Sequence, residues 1–188
     1  MKLEELSIVG CYEITSAVFP DSRGLFFEWF NKSSFAEKNL EISVAQANFS
    51  TSAKGVIRGI HYSLASTGQS KIVMCAAGSI NDVLVDLRVG SPTFLNTINI
   101  SLSANTGKMV FIATGVGHGF SVVSQTASVT YLMSSEYLPD KEHAINPLDI
   151  ELAIDWSLPR KLKPILSDRD RAASSLEQAI ARNLLPTI

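Results

Sequence analysis

Residues 71–88, KIVMCAAGSINDVLVDLR, decide the fold class. Two apolar, β-branched runs meet at Gly78-Ser79, and in the second run Asp82, Leu84, Asp86 and Arg88 alternate with Val83, Val85 and Leu87. Successive side chains of a strand point to opposite faces, so this period of two belongs to a strand and not to a helix. The spacing predicts a half-buried strand over 80–88, with Gly78-Ser79 as the hairpin turn joining it to a strand over 71–77.

The same signature recurs on both sides, in VAQANFS (44–50), VIRGIHY (56–62), FLNTINISL (94–102), KMVFIATG (108–115), FSVVS (120–124) and ASVTYLM (127–133). Many short strands at near-regular spacing, with no helical period between them, predict an all-β sandwich or barrel. Helices are expected only at the margins. Ser34 with Glu37 in SSFAEKN reads as a capping box, and Ser174 with Glu177 reads as another, opening a C-terminal helix over about 172–185 with Leu176, Ile180 and Leu184 on its buried stripe. Pro139, Pro147, Pro159 and Pro164 predict irregular backbone over 138–166. No linker or repeat divides the chain, so 1–188 is expected to form a single domain.

Charged residues make up 18% of the 188, against roughly 25% in ordinary soluble domains. A chain with so little solvating surface is expected to hide part of it against another subunit, which predicts a homodimer. The net charge of −2 is scattered and no Lys/Arg run is present, which argues against nucleic acid as a partner. No apolar stretch approaches the ~20 residues of a membrane span, and MKLEELSIVG is acidic where an export signal is basic. The expected location is the cytoplasm, away from membranes. There Cys11 and Cys75 read as small buried apolar residues and not as a disulfide.

The chemistry-bearing residues are few. Of three histidines, His61 lies in GVIRGIHY (55–62) and His118 in ATGVGHGF (113–120). Glycine inside a strand weakens it unless something approaches the backbone closely, so Gly59 between Arg58 and His61 suggests a ligand running beside the strand. Gly115, Gly117 and Gly119 suggest tight turning at a strand end, which places both histidines at the rim of a cavity. Each histidine taken singly is as well explained by a structural role, and His143, among the charges of PDKEHA, reads as solvated. A metal site in a β barrel needs convergent ligands such as H-x-H plus an acid; the chain offers His61-Tyr62-Ser63, so no metal is expected.

A set of ordered blocks, DSRGLFFE (21–28), QANFSTSAKGVIRGIHY (46–62), KIVMCAAGSINDVLVDLRVGSPTF (71–94), GVGHGF (115–120), SVTYLMSSEY (128–137) and LSDRD (166–170), resembles the dTDP-4-dehydrorhamnose 3,5-epimerases and related nucleotide-sugar epimerases over about residues 7–170. The resemblance implies a double-stranded β-helix, or cupin-like jelly roll, that dimerises partly by exchanging N-terminal strands. It implies a cofactor-independent isomerase in which His61 removes the proton α to a sugar ketone, Asp170 supports His61, Lys71 stabilises the enolate and Tyr131 returns a proton from the opposite face. It further implies Arg23 and Arg58 as phosphate contacts, Phe26 and Glu28 as contacts of the nucleobase, and Gln46, Asn48, His118, Tyr137 and Glu142 as further substrate contacts.

Two departures stand out. Ser63 occupies a position where the family usually has Gln, and INPLDI (145–150) replaces a tryptophan-containing segment. Both are expected to touch the surroundings of the sugar and nucleotide. The resulting expectation is an epimerase of a nucleotide-linked 4-keto-6-deoxyhexose, serving deoxysugar synthesis for surface polysaccharide or a glycosylated metabolite. Two alternatives stay open: inversion at C3 or C5 alone of a dTDP-, CDP- or GDP-linked keto-deoxysugar, and a non-catalytic sugar-nucleotide-binding cupin.

Overall fold

The β-branched runs form strands where alternation places them, in a computed structural model that describes residues 1–38, 40 and 42–188. The N-terminal part supplies β1 (Lys2–Glu5), β2 (Tyr12–Thr15), a hairpin of β3 (Phe19–Asp21) and β4 (Gly24–Phe26), and the short helix α1 (Lys32–Ala36). The central part supplies β5 (Gln46–Ala53), β6 (Ile57–Ser63), β7 (Lys71–Ala77), β8 (Ser79–Asp86), β9 (Thr97–Ser103), β10 (Lys108–Ile112), β11 (Val116–Val122) and β12 (Thr126–Met133). The remainder holds β13 (Glu142–Ala144), α2 (Asp168–Arg171) and α3 (Leu176–Ala181) within largely irregular backbone.

These strands build a six-stranded sheet in the order β1-β2-β10-β7-β12-β5 and a five-stranded sheet in the order β13-β6-β11-β8-β9, with antiparallel pairing throughout. The two face each other as a cupin-like jelly roll. Val73, Leu84, Ile100, Val110, Val122 and Val129 fill the interior between them.

The sequence expectation fails in four local respects. Gly78 closes no hairpin, because β7 and β8 belong to different sheets; the chain crosses there from one sheet to the other. β8 is buried on both faces and is not half-buried. Leu84 and Asp82 point into the barrel, whereas Val83, Val85 and Leu87 lie outside it in an apolar layer with Ile57, Ile60, Tyr62, Trp156 and Leu176. The C-terminal third of the chain thus covers the outer face of the five-stranded sheet. At the helices, the caps sit elsewhere: Asn31 accepts from Ser34 N to start α1, and Ser175 with Gln178 forms the capping box of α3. α3 ends at Ala181 and is separate from α2, and it buries Leu176 and Ala179 while Ile180 is 47% exposed. An apolar pair at i and i+3 meets the sheet, and the stripe through Ile180 does not.

The DLRVGSPTF block has a structural account. Asp86, at the end of β8, accepts from Arg88 Nε at 2.8 Å and from Ser91 Oγ and Thr93 Oγ1 at 2.6 Å each, which ties the β8–β9 connection into a corner. Burial opposes the charge on Asp86, yet these donors outweigh it and pull its carboxyl down to about 2. Cys11 and Cys75 are buried and free.

Candidate active site

β6 and β11 pair so that His61 stands opposite His118 and Arg58 opposite Phe120. Two steps along β11 therefore span three along β6, and the extra residue makes a bulge at Gly59-Ile60. Without it Arg58 and His61, three apart, would face opposite sides of the sheet. With it both face the space between the sheets, while Ile57, Ile60 and Tyr62 pack on the outside. Gly59 has φ +138°, and a Cβ there would lie 2.5 Å from Gly119 Cα. This glycine serves the close approach of two strands, and not the approach of a ligand as its sequence context suggests.

Between the sheets lies a cavity of about 120 Å³ lined by Ser50, Arg58, His61, Lys71, His118, Phe120 and Tyr131. β5, β6, β7, β11 and β12 each contribute, so residues spread from Ser50 to Tyr131 converge only through the jelly roll. Three of the four expected catalytic residues share this space. The fourth, Asp170, stands behind His61, with its Oδ1 2.6 Å from His61 Nε2. Ser167 Oγ accepts from Asp170 N at 3.0 Å and caps α2, which frees the Asp170 carboxylate from capping and turns it to the histidine. Burial works against the charge on Asp170, but the hydrogen bond and charge of His61 win and hold its carboxyl below the ordinary value.

His118 is tied in the same manner to a residue that sequence reading passed over. Its Nε2 lies 2.8 Å from Oδ2 of Asp82, a wholly buried side chain of β8. Lys71 is buried, and its ammonium has no hydrogen bond or ion pair among the described residues. Burial pulls its pKa down, opposed by the charges of Glu142 and Asp82. Burial also pushes the Tyr131 phenol up, so it stays protonated through neutral pH; Arg58 opposes and Glu142 reinforces that shift.

Other expected substrate contacts form a rim outside the cavity lining. Gln46 Oε1 accepts from Tyr137 N at 2.8 Å, and its Nε2 donates to Asn48 Oδ1 at 3.0 Å. Arg169 donates to Tyr137 Oη at 3.2 Å and to Glu142 O at 3.1 Å, and Glu142 Oε1 accepts from Gln69 Nε2 at 3.1 Å. Arg23, Phe26 and Glu28 are not brought to the cavity by their own chain: Arg23 pairs with Asp21 on the exposed β3–β4 hairpin, Phe26 is 68% exposed, and Glu28 accepts from Asn31 Nδ2. His143 is half-buried and not freely solvated as expected: it stacks on Tyr62 with ring centroids 5.8 Å apart.

Neither departure from the expected pattern lines the cavity. Ser63 faces a separate groove beyond Leu64 and Ser70, and Ile145 exchanges backbone hydrogen bonds with Ile60 on the outer side of β6. Sequence reading missed Asp82, Ser50, Phe120, Gln69 and Arg169. Asp82 was visible as the acid sharing a face with Leu84, and Arg169 sits inside LSDRD; Ser50, Phe120 and Gln69 carry no signal of their own.

A model of the dTDP-4-dehydrorhamnose 3,5-epimerase family matches residues 5–178. The chain is 43% identical over 187 residues to the dTDP-4-dehydrorhamnose 3,5-epimerase of Mycobacterium tuberculosis, covering 99% of this chain and 93% of that one. It is 44% identical over 188 residues to the dTDP-4-dehydrorhamnose 3-epimerase of Streptomyces niveus, covering 100% and 89%. The solved structure of a dTDP-6-deoxy-D-glucose-3,5-epimerase from Legionella pneumophila in complex with dTDP-4-keto-L-rhamnose superposes with a TM-score of 0.91 at 37% identity, covering 100% of this chain and 98% of that one.

Proposed function

The chain belongs to the dTDP-4-dehydrorhamnose 3,5-epimerase family, and on that premise we propose that its cavity epimerises a dTDP-linked 4-keto-6-deoxyhexose through an enolate. The observation that carries this reading is the placing of His61 and Tyr131 on one cavity, the first from β6 of one sheet and the second from β12 of the other. A base and an acid on facing sheets reach opposite faces of a ring held between them, which is what inversion requires.

The proton α to a ketone leaves only when a positioned base takes it and the developing oxyanion is stabilised. Asp170 accepts the Nε2 proton of His61 and leaves Nδ1 as the ring nitrogen that takes the substrate proton. The electron pair of the broken C–H bond moves into the new C=C bond, and the carbonyl pair moves onto oxygen, where the Lys71 ammonium meets it. Tyr131 then protonates the same carbon from the other face, the C=O bond reforms, and exchange with water returns its proton to Tyr131 and removes one from His61. Arg58, donating from Nε to Ser52 Oγ at 3.0 Å, holds its guanidinium at the cavity edge for a phosphate.

The experiment is solvent exchange. Incubated with dTDP-4-keto-6-deoxyglucose in deuterated water, the protein is expected to place deuterium at C3, or at C3 and C5, by NMR; no incorporation overturns the reading. Deuterium at C3 alone would favour the single-centre reading, which the Streptomyces niveus relative supports as directly as the Mycobacterium tuberculosis relative supports the double one. Tyr131→Phe is expected to retain exchange of the α proton while inversion falls by about 10²-fold or more; an unchanged ratio of inversion to exchange would remove Tyr131 from the step.

The reading treats 1–188 as one domain working as a homodimer. Among the described residues, β5 leaves one edge of its sheet open, Phe49 on its outer face is 68% exposed, and the β3–β4 hairpin pairs only with itself and carries Phe19 and Phe26 into solvent. Seated on a second copy, each hairpin would bury these rings and carry Arg23, Phe26 and Glu28 towards the partner's cavity for the nucleotide. Sedimentation is expected to give twice the 20.4 kDa of the chain; a monomer at assay concentration would leave those three residues without a role.

A further inference from the structure

We propose that Asp82, which lies outside the cavity lining, is a positioning residue that sets the tautomer and orientation of His118; the proposal rests on the epimerase reading. On its face of β8 Asp82 stands between Ile80 and Leu84, all three wholly buried. Nothing in the packing there calls for a charge. Its Oδ2 meets His118 Nε2, while its Oδ1 is buried with no partner among the described residues. A buried carboxylate with an unused oxygen is costly to keep, and an apolar side chain would serve the barrel better. The cost makes sense if the charge acts on a neighbour that faces the substrate.

His118 is that neighbour. With Asp82 accepting at Nε2, the ring of His118 cannot rotate freely and Nδ1 is the nitrogen left for the sugar, as a second carboxylate orients a reacting imidazole or a metal-bound one. Asp82 thereby acts on a side chain that lines the cavity without lining it itself.

The tautomer is read on the wild-type protein by imidazole ¹⁵N NMR, with the His118 signals assigned by their loss in His118→Asn. The expected result is a proton on Nε2 of His118; a neutral ring protonated on Nδ1 overturns the proposal, and this readout needs no folded Asp82 variant. In Asp82→Asn, kcat is expected to fall by about tenfold or more, with the proton of His118 no longer confined to Nε2 in the same measurement. A lowered kcat with that proton still confined to Nε2 would mean a packing role only and would overturn the proposal. Failure of wild-type protein to exchange any α proton would sink the epimerase reading while leaving the tautomer measurement to decide this one.

Discussion

His61→Ala is expected to abolish exchange of the sugar's α proton, with kcat/KM falling by about 10³-fold or more, because general-base catalysis alone is worth roughly 10²- to 10⁴-fold. Among the other side chains that line the cavity, Arg58 is a cation and Tyr131 holds its proton. His118 is the one other imidazole there, and it stands on the neighbouring strand β11 with its Nε2 on Asp82. Asp170→Asn should leave the pocket its shape and still cost about 10²-fold or more, since the amide no longer enforces the Nε2–H tautomer of His61. The sign of the acid dependence follows from the lowered carboxyl of Asp170. The dyad is intact above the ordinary carboxylate pKa and is lost as pH falls through the depressed value, so acid should mimic Asp170→Asn. Retained α-proton exchange by NMR in His61→Ala would assign the base elsewhere.

Much of this site was legible as types of residue and little of it as geometry. The strand pattern marked the long strands from β5 to β12, because side-chain alternation is local and survives in the sequence, but it found only the second half of β11: the glycine-rich stretch read as turning at a strand end is strand from Val116, with His118 in its middle. It did not show which face was wet. Asp82 and Asp86 on one face of β8 suggested solvent, but that face turns into the barrel and the C-terminal segment covers the other. A polar face turned inward is what a barrel that binds a polar ligand needs, and alternation reads the same either way. The pairing of His61 with Asp170, 109 residues apart, came from the resemblance and not from any local signal. The helix caps moved by one to three residues, since neighbouring Ser and Asn side chains compete for the same amides and tertiary packing decides between them.

The feature least visible in the sequence is the bulge that aims His61, and Gly59→Ala should show how much rests on it. Gly24 supplies the control: its φ is +133°, against +138° at Gly59, but an added Cβ at Gly24 meets nothing within 4 Å. Gly24→Ala should therefore cost only the backbone conformation, about 1–3 kcal/mol. At Gly59 the same backbone cost is joined by the overlap with Gly119 Cα and with His118 O at 2.9 Å. Neither atom can move without shifting β11, so about 1–3 kcal/mol more is expected. For a chain of this length the extra loss lowers Tm by roughly 2–4 °C per kcal/mol. Activity should fall further than stability. Relief of the clash requires β6 and β11 to part or the bulge to rearrange, and rearrangement by one residue turns His61 from the cavity to the apolar layer outside. Gly59→Ala is thus expected to lose at least 10²-fold in kcat at temperatures where it remains folded, with Gly24→Ala near wild type in that step. Equal melting temperatures for the two variants would show that the strands can separate freely at this point, and that the bulge is not what holds the histidine to its task.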